Sequence, residues 1–249
     1  MTGTIINIIA VLIGGSLGML FGARLPERLK QTVTGGMGLF TAAIGVQMFL
    51  KTGNPLIVLG SVLIGALLGE WWRIEEGLQS LGQRLEKRFA RSDSAEASQR
   101  FVRGFLVSSL LFCVGPMTIL GSIQDGLTGD YSLLAVKSVL DGFAALAFAS
   151  TLGVGVLFST LVILAYQGGI SLLAAQLSAL VTEPMMTEMT AAGGVILMGL
   201  AISSLLEIKP LRVGNFLPAL AVAPSIVWLL TWWETVIAPW LKAHLPLLF

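Results

Sequence analysis

Cysteine and histidine each occur once in the 249 residues, at Cys113 and His244. A lone cysteine excludes an internal disulfide framework, and a lone histidine excludes a His-rich metal cluster. Charge is scarce too, with Asp, Glu, Lys and Arg making up 12% of the chain against about a quarter in soluble domains. There is no phosphate-binding glycine loop, no HExxH, no CxxC and no Ser/His/Asp constellation, so nothing in the sequence argues for an enzyme or a bound cofactor. A net charge of +1 gives no basic field for nucleic acid. The start, MTGTIINIIAVLIGG, has no basic segment ahead of its apolar run, and a first spanning helix is expected there in place of a cleaved signal.

What is abundant is apolar: 55% of residues are hydrophobic and the mean hydropathy is +0.87. The chain therefore reads as an all-α polytopic membrane protein whose first partner is the bilayer. Apolar windows of about 20 residues, cut where Gly, Pro and charge cluster, predict eight spans near 4–22, 33–50, 55–72, 104–123, 132–153, 157–177, 190–206 and 215–233. The boundary between the fifth and sixth rests on a turn at Gly153 and Gly155. With eight spans and both ends outside, twelve of the fifteen basic residues fall on the inner side. The outer loops carrying Asp125, Asp130, Glu183 and Glu188 then hold no base, as the positive-inside rule requires.

Residues 73–103 do not read as a span. Ile74, Leu78, Leu81, Leu85 and Phe89 recur at helical spacing among acids and bases, which predicts an amphipathic helix over 74–91 followed by a flexible linker at 92–99. That helix could lie on an anionic inner leaflet or cover the inner ends of its own bundle. The tail at 234–249, with Trp240 following Trp232 and Trp233, reads as an outer interfacial belt.

Three glycine-containing motifs recur in order: Gly14-Gly15 with Gly168-Gly169, Gly35-Gly36 with Gly193-Gly194, and Gly53-Asn54 with Gly214-Asn215. Spans one to three (residues 1–72) would then match spans six to eight (157–233). Five spans separate each pair, and an odd separation inverts orientation, so the expectation is an inverted repeat around a central hairpin at 104–153. Chance recurrence among 29 glycines is the alternative. The four-spaced Gly14, Gly18 and Gly22, and likewise Gly65 and Gly69, read as close-packing stripes.

The central hairpin gathers the polar residues. Pro116, after Gly115, cannot donate to the carbonyl of Phe112 and should break the helix at membrane depth. Thr118, Ser122, Gln124 and Asp125 follow, then Lys137, Ser138 and Asp141. A charge near mid-bilayer costs about 2.5–3.5 kcal/mol even on the insertion scale, so Lys137 and Asp141, one helical turn apart, are expected to pair and face a polar interior. These nine residues form the candidate site for a small solute or ion. The plainer readings are a proline kink relieved by packing and a Lys137 that snorkels to the surface with Asp141 as its counter-ion. Cys113 and Met117, also four apart, could ligate a soft metal, but packing is the default.

The segments GGMGLFTAAIGVQM, CVGPMTILGSIQDGLTGDYSLLAVKSVLDGFAALAFASTLGVGV, GGVILMGLAI and RVGNFLPALAVAP resemble the YdfK/YqgA-type bacterial inner-membrane proteins over essentially the whole chain. The resemblance implies a multi-pass inner-membrane location and names no substrate. KSVLDGFAALAFA, followed by the glycine pair near 193, more weakly resembles the second half of manganese-exporter-type small transporters, and the residue this would assign to the cation is Asp141. Spans one to three carry no acid before Glu70, so a first-half counterpart is missing. Two functions are expected: a secondary transporter or channel for a small solute or ion, a cation among the candidates, or a non-transporting scaffold whose amphipathic segment senses lipid or a partner. Homo-oligomerisation is compatible with both.

Overall fold

A computed structural model describes residues 1–90, 94–237 and 239. Among the described residues every regular element is helical. The helices are α1 (Thr2–Gly22), α2 (Glu27–Phe49), α3 (Pro55–Trp72), α4 (Ile74–Leu85), α5 (Ala95–Cys113), α6 (Pro116–Thr128), α7 (Ser132–Leu152), α8 (Gly155–Leu172), α9 (Ala174–Leu180), α10 (Glu183–Leu200) and α11 (Ala219–Trp232). Seven helical segments are long and apolar enough to cross a bilayer, and α5 with α6 make an eighth candidate bent by 64°. All eight predicted spans coincide with these, and Gly153, with φ of 78°, makes the turn that separates α7 from α8.

The exterior is what identifies the solvent. Leu39, Phe40, Leu67, Trp71 and Phe143 are each at least 66% exposed, an arrangement that water would penalise and lipid does not. The core lies among α5, α7, α8 and α10, where Val107, Phe112, Phe148, Val156, Ile163 and Ile196 are buried. Between lipid-facing helices there is no hydrophobic drive to associate, so close approach must come from small side chains. On α1, a Cβ at Gly14, Gly18 or Gly22 would stand 2.0, 2.2 or 2.3 Å from the carbonyl oxygens of Gly142, Leu146 and Ser150 on α7. Any side chain there pushes the helices apart. Gly69 sits in the same way against the carbonyl of Asn215.

One expectation is corrected. The linker predicted at 92–99 is helical from Ala95, because the Ser94 side chain accepts from the Ala97 amide at 3.2 Å and caps α5; a serine N-cap with Glu96 in the first turn starts a helix despite its polarity. The amphipathic segment forms α4 and a wider π-turn, Glu86–Ala90. Its bundle-facing side is Glu75, Gly82 and Glu86, while Leu81 and Phe89 face outward. Glu75 accepts from the Gly214 amide at 2.7 Å, and the Asn215 side chain accepts from the Glu75 amide at 2.8 Å, which docks α4 on the turn Val213–Phe216. Trp240 lies outside the described residues.

Candidate functional site

The Asn7, Lys137, Asp141 and Gln167 side chains, from α1, α7 and α8, meet in the interior. Asp141 and Lys137 pair as the i,i+4 spacing requires, and both residues are under 10% exposed. The rest of the cluster comes from residues the hydrophobic pattern conceals. Asn7, within INIIAVL, donates from Nδ2 to Asp141 Oδ2 at 3.0 Å and to Gln167 Oε1 at 3.0 Å. Asn7 and Gln167 are fully buried. Thus Asp141 faces inward, and its hydrogen-bond partner across the bundle is Asn7 of α1. The signal that could have found Asn7 is its register: with Gly3, Gly14 and Gly18 it shares the α1 stripe that meets α7.

One turn earlier on α1, the Gly3 amide donates to Asp125 Oδ2 at 3.0 Å, and the Met1 ammonium lies 3.0 Å from the same atom. Asp125 therefore binds the α1 N-terminus, where the helix dipole favours an anion. Four residues of helix rise about 6 Å, which sets the spacing between the two carboxylates along α1. Several buried atoms in this region have no partner: Thr4 Oγ1, Asn7 Oδ1, Gln167 Nε2 and Asp125 Oδ1. Unpartnered polar atoms are costly in an apolar interior.

The remaining site candidates have other tasks. Pro116 opens α6 after a break at Val114-Gly115, and the Phe112 carbonyl is satisfied by the Thr118 hydroxyl at 3.1 Å. Ser122 offers its carbonyl to the Ser171 hydroxyl at 3.0 Å, joining α6 to α8. Ser138 bonds back to the Leu134 carbonyl of its own helix. Gln124 is exposed and takes no part. Cys113 is buried while Met117 is 39% exposed, so the two do not face one cavity. Glu188, expected in an outer loop, lies inside α10 and is buried; it accepts from Thr52 Oγ1 at 2.6 Å and from the amides of Gly53 and Asn54 at 2.8 and 3.0 Å. In the α6–α7 turn, hydrogen bonds from the Ser132 side chain and then its amide hold the Asp130 carboxyl below the usual range.

A polar cavity of about 480 Å³ lies elsewhere, at the end of the bundle where α2 and α5 begin and α7 ends; it is lined by Glu27, Lys30, Glu96, Arg100, Arg103 and Glu207 among others. A second cavity of about 210 Å³, lined by Met19, Gly22, Ser150 and Gly153, shares Lys30 and Arg100 with it. Ser150 is nine residues from Asp141, roughly 13 Å along α7. The glycine seam of α1 against Gly142, Leu146 and Ser150 occupies that interval.

Residues 2–228 match the family described as protein of unknown function (DUF554). The uncharacterized protein YqgA of Escherichia coli (strain K12) is 36% identical over 222 residues, covering 89% of this chain and 94% of its own. The uncharacterized membrane protein YdfK of Bacillus subtilis (strain 168) is 29% identical over 234 residues, covering 92% and 97%. No solved structure matches. With both relatives covered almost end to end and the family match running through nearly every helix, the chain belongs to the DUF554 family of multi-pass membrane proteins.

Proposed function

We propose that this chain is a secondary transporter or channel for a small solute or ion in the bacterial inner membrane, with no catalytic role. One observation carries the reading. An ion pair, two amides and unpartnered polar atoms are buried where three helices meet, although each is costly in a bilayer. Membrane proteins keep such groups where they handle a substrate or an ion. In the same reading, the glycine seam of α1 and α7 closes the route from the Lys30/Arg100 cavity to Asp141, and access from that side follows when the seam opens. An inverted relation of spans one to three and six to eight, as the glycine motifs suggest, would supply the alternating partner surfaces.

The test is a proteoliposome screen of cations, anions and small metabolites. Asp141→Asn should abolish the flux found, with expression intact. Full flux in that variant would make Asp141 a structural counter-ion.

A second reading draws on α4 and the π-turn that follows it. Their outward face exposes Leu81 and Phe89, with the exposed Arg84, Lys87 and Arg88 beside them, which suits an anionic leaflet. A protein that moves no solute in the screen, yet retains anionic lipid through these bases, would be a scaffold or lipid sensor.

A further inference from the structure

We infer that the chamber between the ends of α1 and α7 takes the carboxylate or phosphate group of an anionic solute, held by Lys30 and Arg100. This names the substrate class of the transport reading and rests on it.

The chamber, about 210 Å³, has two charged residues in its wall, and both are basic. Acids gather farther out: Glu27, Glu96 and Glu207 line only the adjoining cavity of about 480 Å³, where Lys30, Arg100 and Arg103 balance them. A solute moving from that cavity into the chamber passes from a wall without net formal charge to one that is wholly cationic. Charge of one sign in a narrow space between apolar helices focuses the field and concentrates ions of the other sign.

The donors are free. Lys30 Nζ stands 3.9 Å from Glu27 Oε2, beyond hydrogen-bond length, although the Lys30 side chain is only 19% exposed. Lysine is rarely so covered without a close partner. Arg100 has no ion pair and no side-chain hydrogen bond among the described residues. Arg103 differs, being engaged by Glu207 and by the Ser204 carbonyl at 2.6 Å. The remaining polar side chains of the chamber, Ser150 and Thr151, donate to the Ala147 and Phe148 carbonyls of their own helix. The two bases thus hold every unfilled side-chain donor in the wall. A plainer role for them is to face the carbonyl ends of α1 and α7, where helix dipoles favour cations. That role would show as hydrogen bonds to those carbonyls, and neither side chain donates one.

Donor geometry sets the ligand. A guanidinium presents a planar fork that matches the paired oxygens of a carboxylate or phosphate, and an ammonium adds a compact further donor. A halide leaves half of the fork unused. Space is open at Gly153, where a Cβ would meet nothing within 4 Å. Gly22 and Ser150, whose contact ends the glycine seam, line the same chamber. An oxyanion bound there lies at the foot of the closed route to Asp141, and the larger cavity leaves room for the rest of the solute.

The full chain, purified in detergent, should bind sodium phosphate or sodium succinate saturably by isothermal titration at constant ionic strength. Arg100→Gln and Lys30→Gln should each weaken that binding by about tenfold or more, the scale of a charge-assisted hydrogen bond. Arg100→Lys keeps the charge, loses the fork and should fall between. Arg212→Gln, at an exposed pair with Glu70 outside the chamber, should bind as the wild type does, and thermal unfolding reports that each variant folds. Nanodiscs of phosphatidylethanolamine with and without phosphatidylglycerol separate a free solute from a lipid headgroup. Equal phosphate affinity in both supports the solute. Loss of phosphate binding when phosphatidylglycerol is present, with that lipid retained by the wild type and not by Arg100→Gln, assigns the bases to a headgroup and overturns the solute site. Absence of oxyanion binding, or binding untouched by both glutamine variants, overturns it too and leaves the transport reading to the wider screen. Flux of a cation or neutral solute alone, unchanged in Arg100→Gln, does the same. Oxyanion binding in a protein that moves no solute overturns the transport reading and leaves a binding site.

Discussion

Asn7 and Asp141 lie 134 positions apart and are joined by one 3.0 Å hydrogen bond, Asn7 Nδ2 donating to the same Oδ2 that pairs with Lys137. The bond ties the first helix to the fifth predicted span. It also gives Asp141 a neutral donor alongside its charged one, both on a single carboxylate oxygen.

That arrangement predicts coupling along the amide pair. Hydrogen bonds inside membranes average about 0.6 kcal/mol and reach about 1.7, so Asn7→Ala should destabilise the protein by about 1 kcal/mol. Gln167→Ala should cost less than the two effects measured separately suggest once Asn7 is already absent. A double-mutant cycle read by thermal unfolding in detergent should give an interaction energy above about 0.5 kcal/mol. Effects that simply add would mean the two amides do not act together.

The α1–α7 seam makes a sharper prediction. A Cβ at Gly18 would lie 2.2 Å from the Leu146 carbonyl oxygen, which is backbone and cannot step aside. Gly18→Ala should therefore separate the helices and lower the melting temperature markedly, by at least the 1–3 kcal/mol typical of overpacking. Gly35→Ala is the control, because nothing lies within 4 Å of its Cβ position. There the gain in helix propensity, about 1 kcal/mol, should leave the protein as stable or more so. Equal behaviour of the two variants would contradict the packing described.

Thr118 closes the backbone at the break. Replacing it by Val keeps the volume and removes the donor to Phe112, leaving a buried carbonyl unpaired at a cost of about 1–3 kcal/mol. Thr118→Ser retains the hydroxyl and should recover most of that stability. Thermal unfolding of the two variants side by side decides it: a Val variant as stable as the Ser variant would show that the break is satisfied in another way.

The spans were legible because an apolar run of membrane length has few alternatives, and the break at Pro116 was legible because proline lacks a donor. Pairing of Lys137 with Asp141 followed from their spacing on a helix. The start of α5 was hidden because its first two turns are polar, and polarity alone does not distinguish a linker from a capped helix standing outside the bilayer. Asn7 and Gln167 were hidden for the opposite reason: each is a single uncharged residue inside a strongly apolar run, and its partner is set by tertiary packing more than 130 residues away. Glu188 escaped for a related reason. Its three donors come from the α2–α3 turn, so burial made it a helical cap for another segment and not a loop charge.

Orientation follows from charge and can be measured at two exposed positions. Asp130 sits in the turn between α6 and α7, in a region without bases, whereas Lys209 sits between α10 and α11 with Arg212 close by. The positive-inside rule places the first outside and the second inside, and the crossing of α7, α8 and α10 between them is an odd number of spans. Cys113 is buried, so it contributes little background to thiol labelling. Asp130→Cys should react with a membrane-impermeant maleimide in intact spheroplasts, while Lys209→Cys should react only after permeabilisation. The reverse pattern would invert the protein in the membrane and keep the count of spans. Labelling of both positions from outside would mean that α7, α8 and α10 do not all cross, and the inverted repeat expected from the glycine motifs would fall with that result.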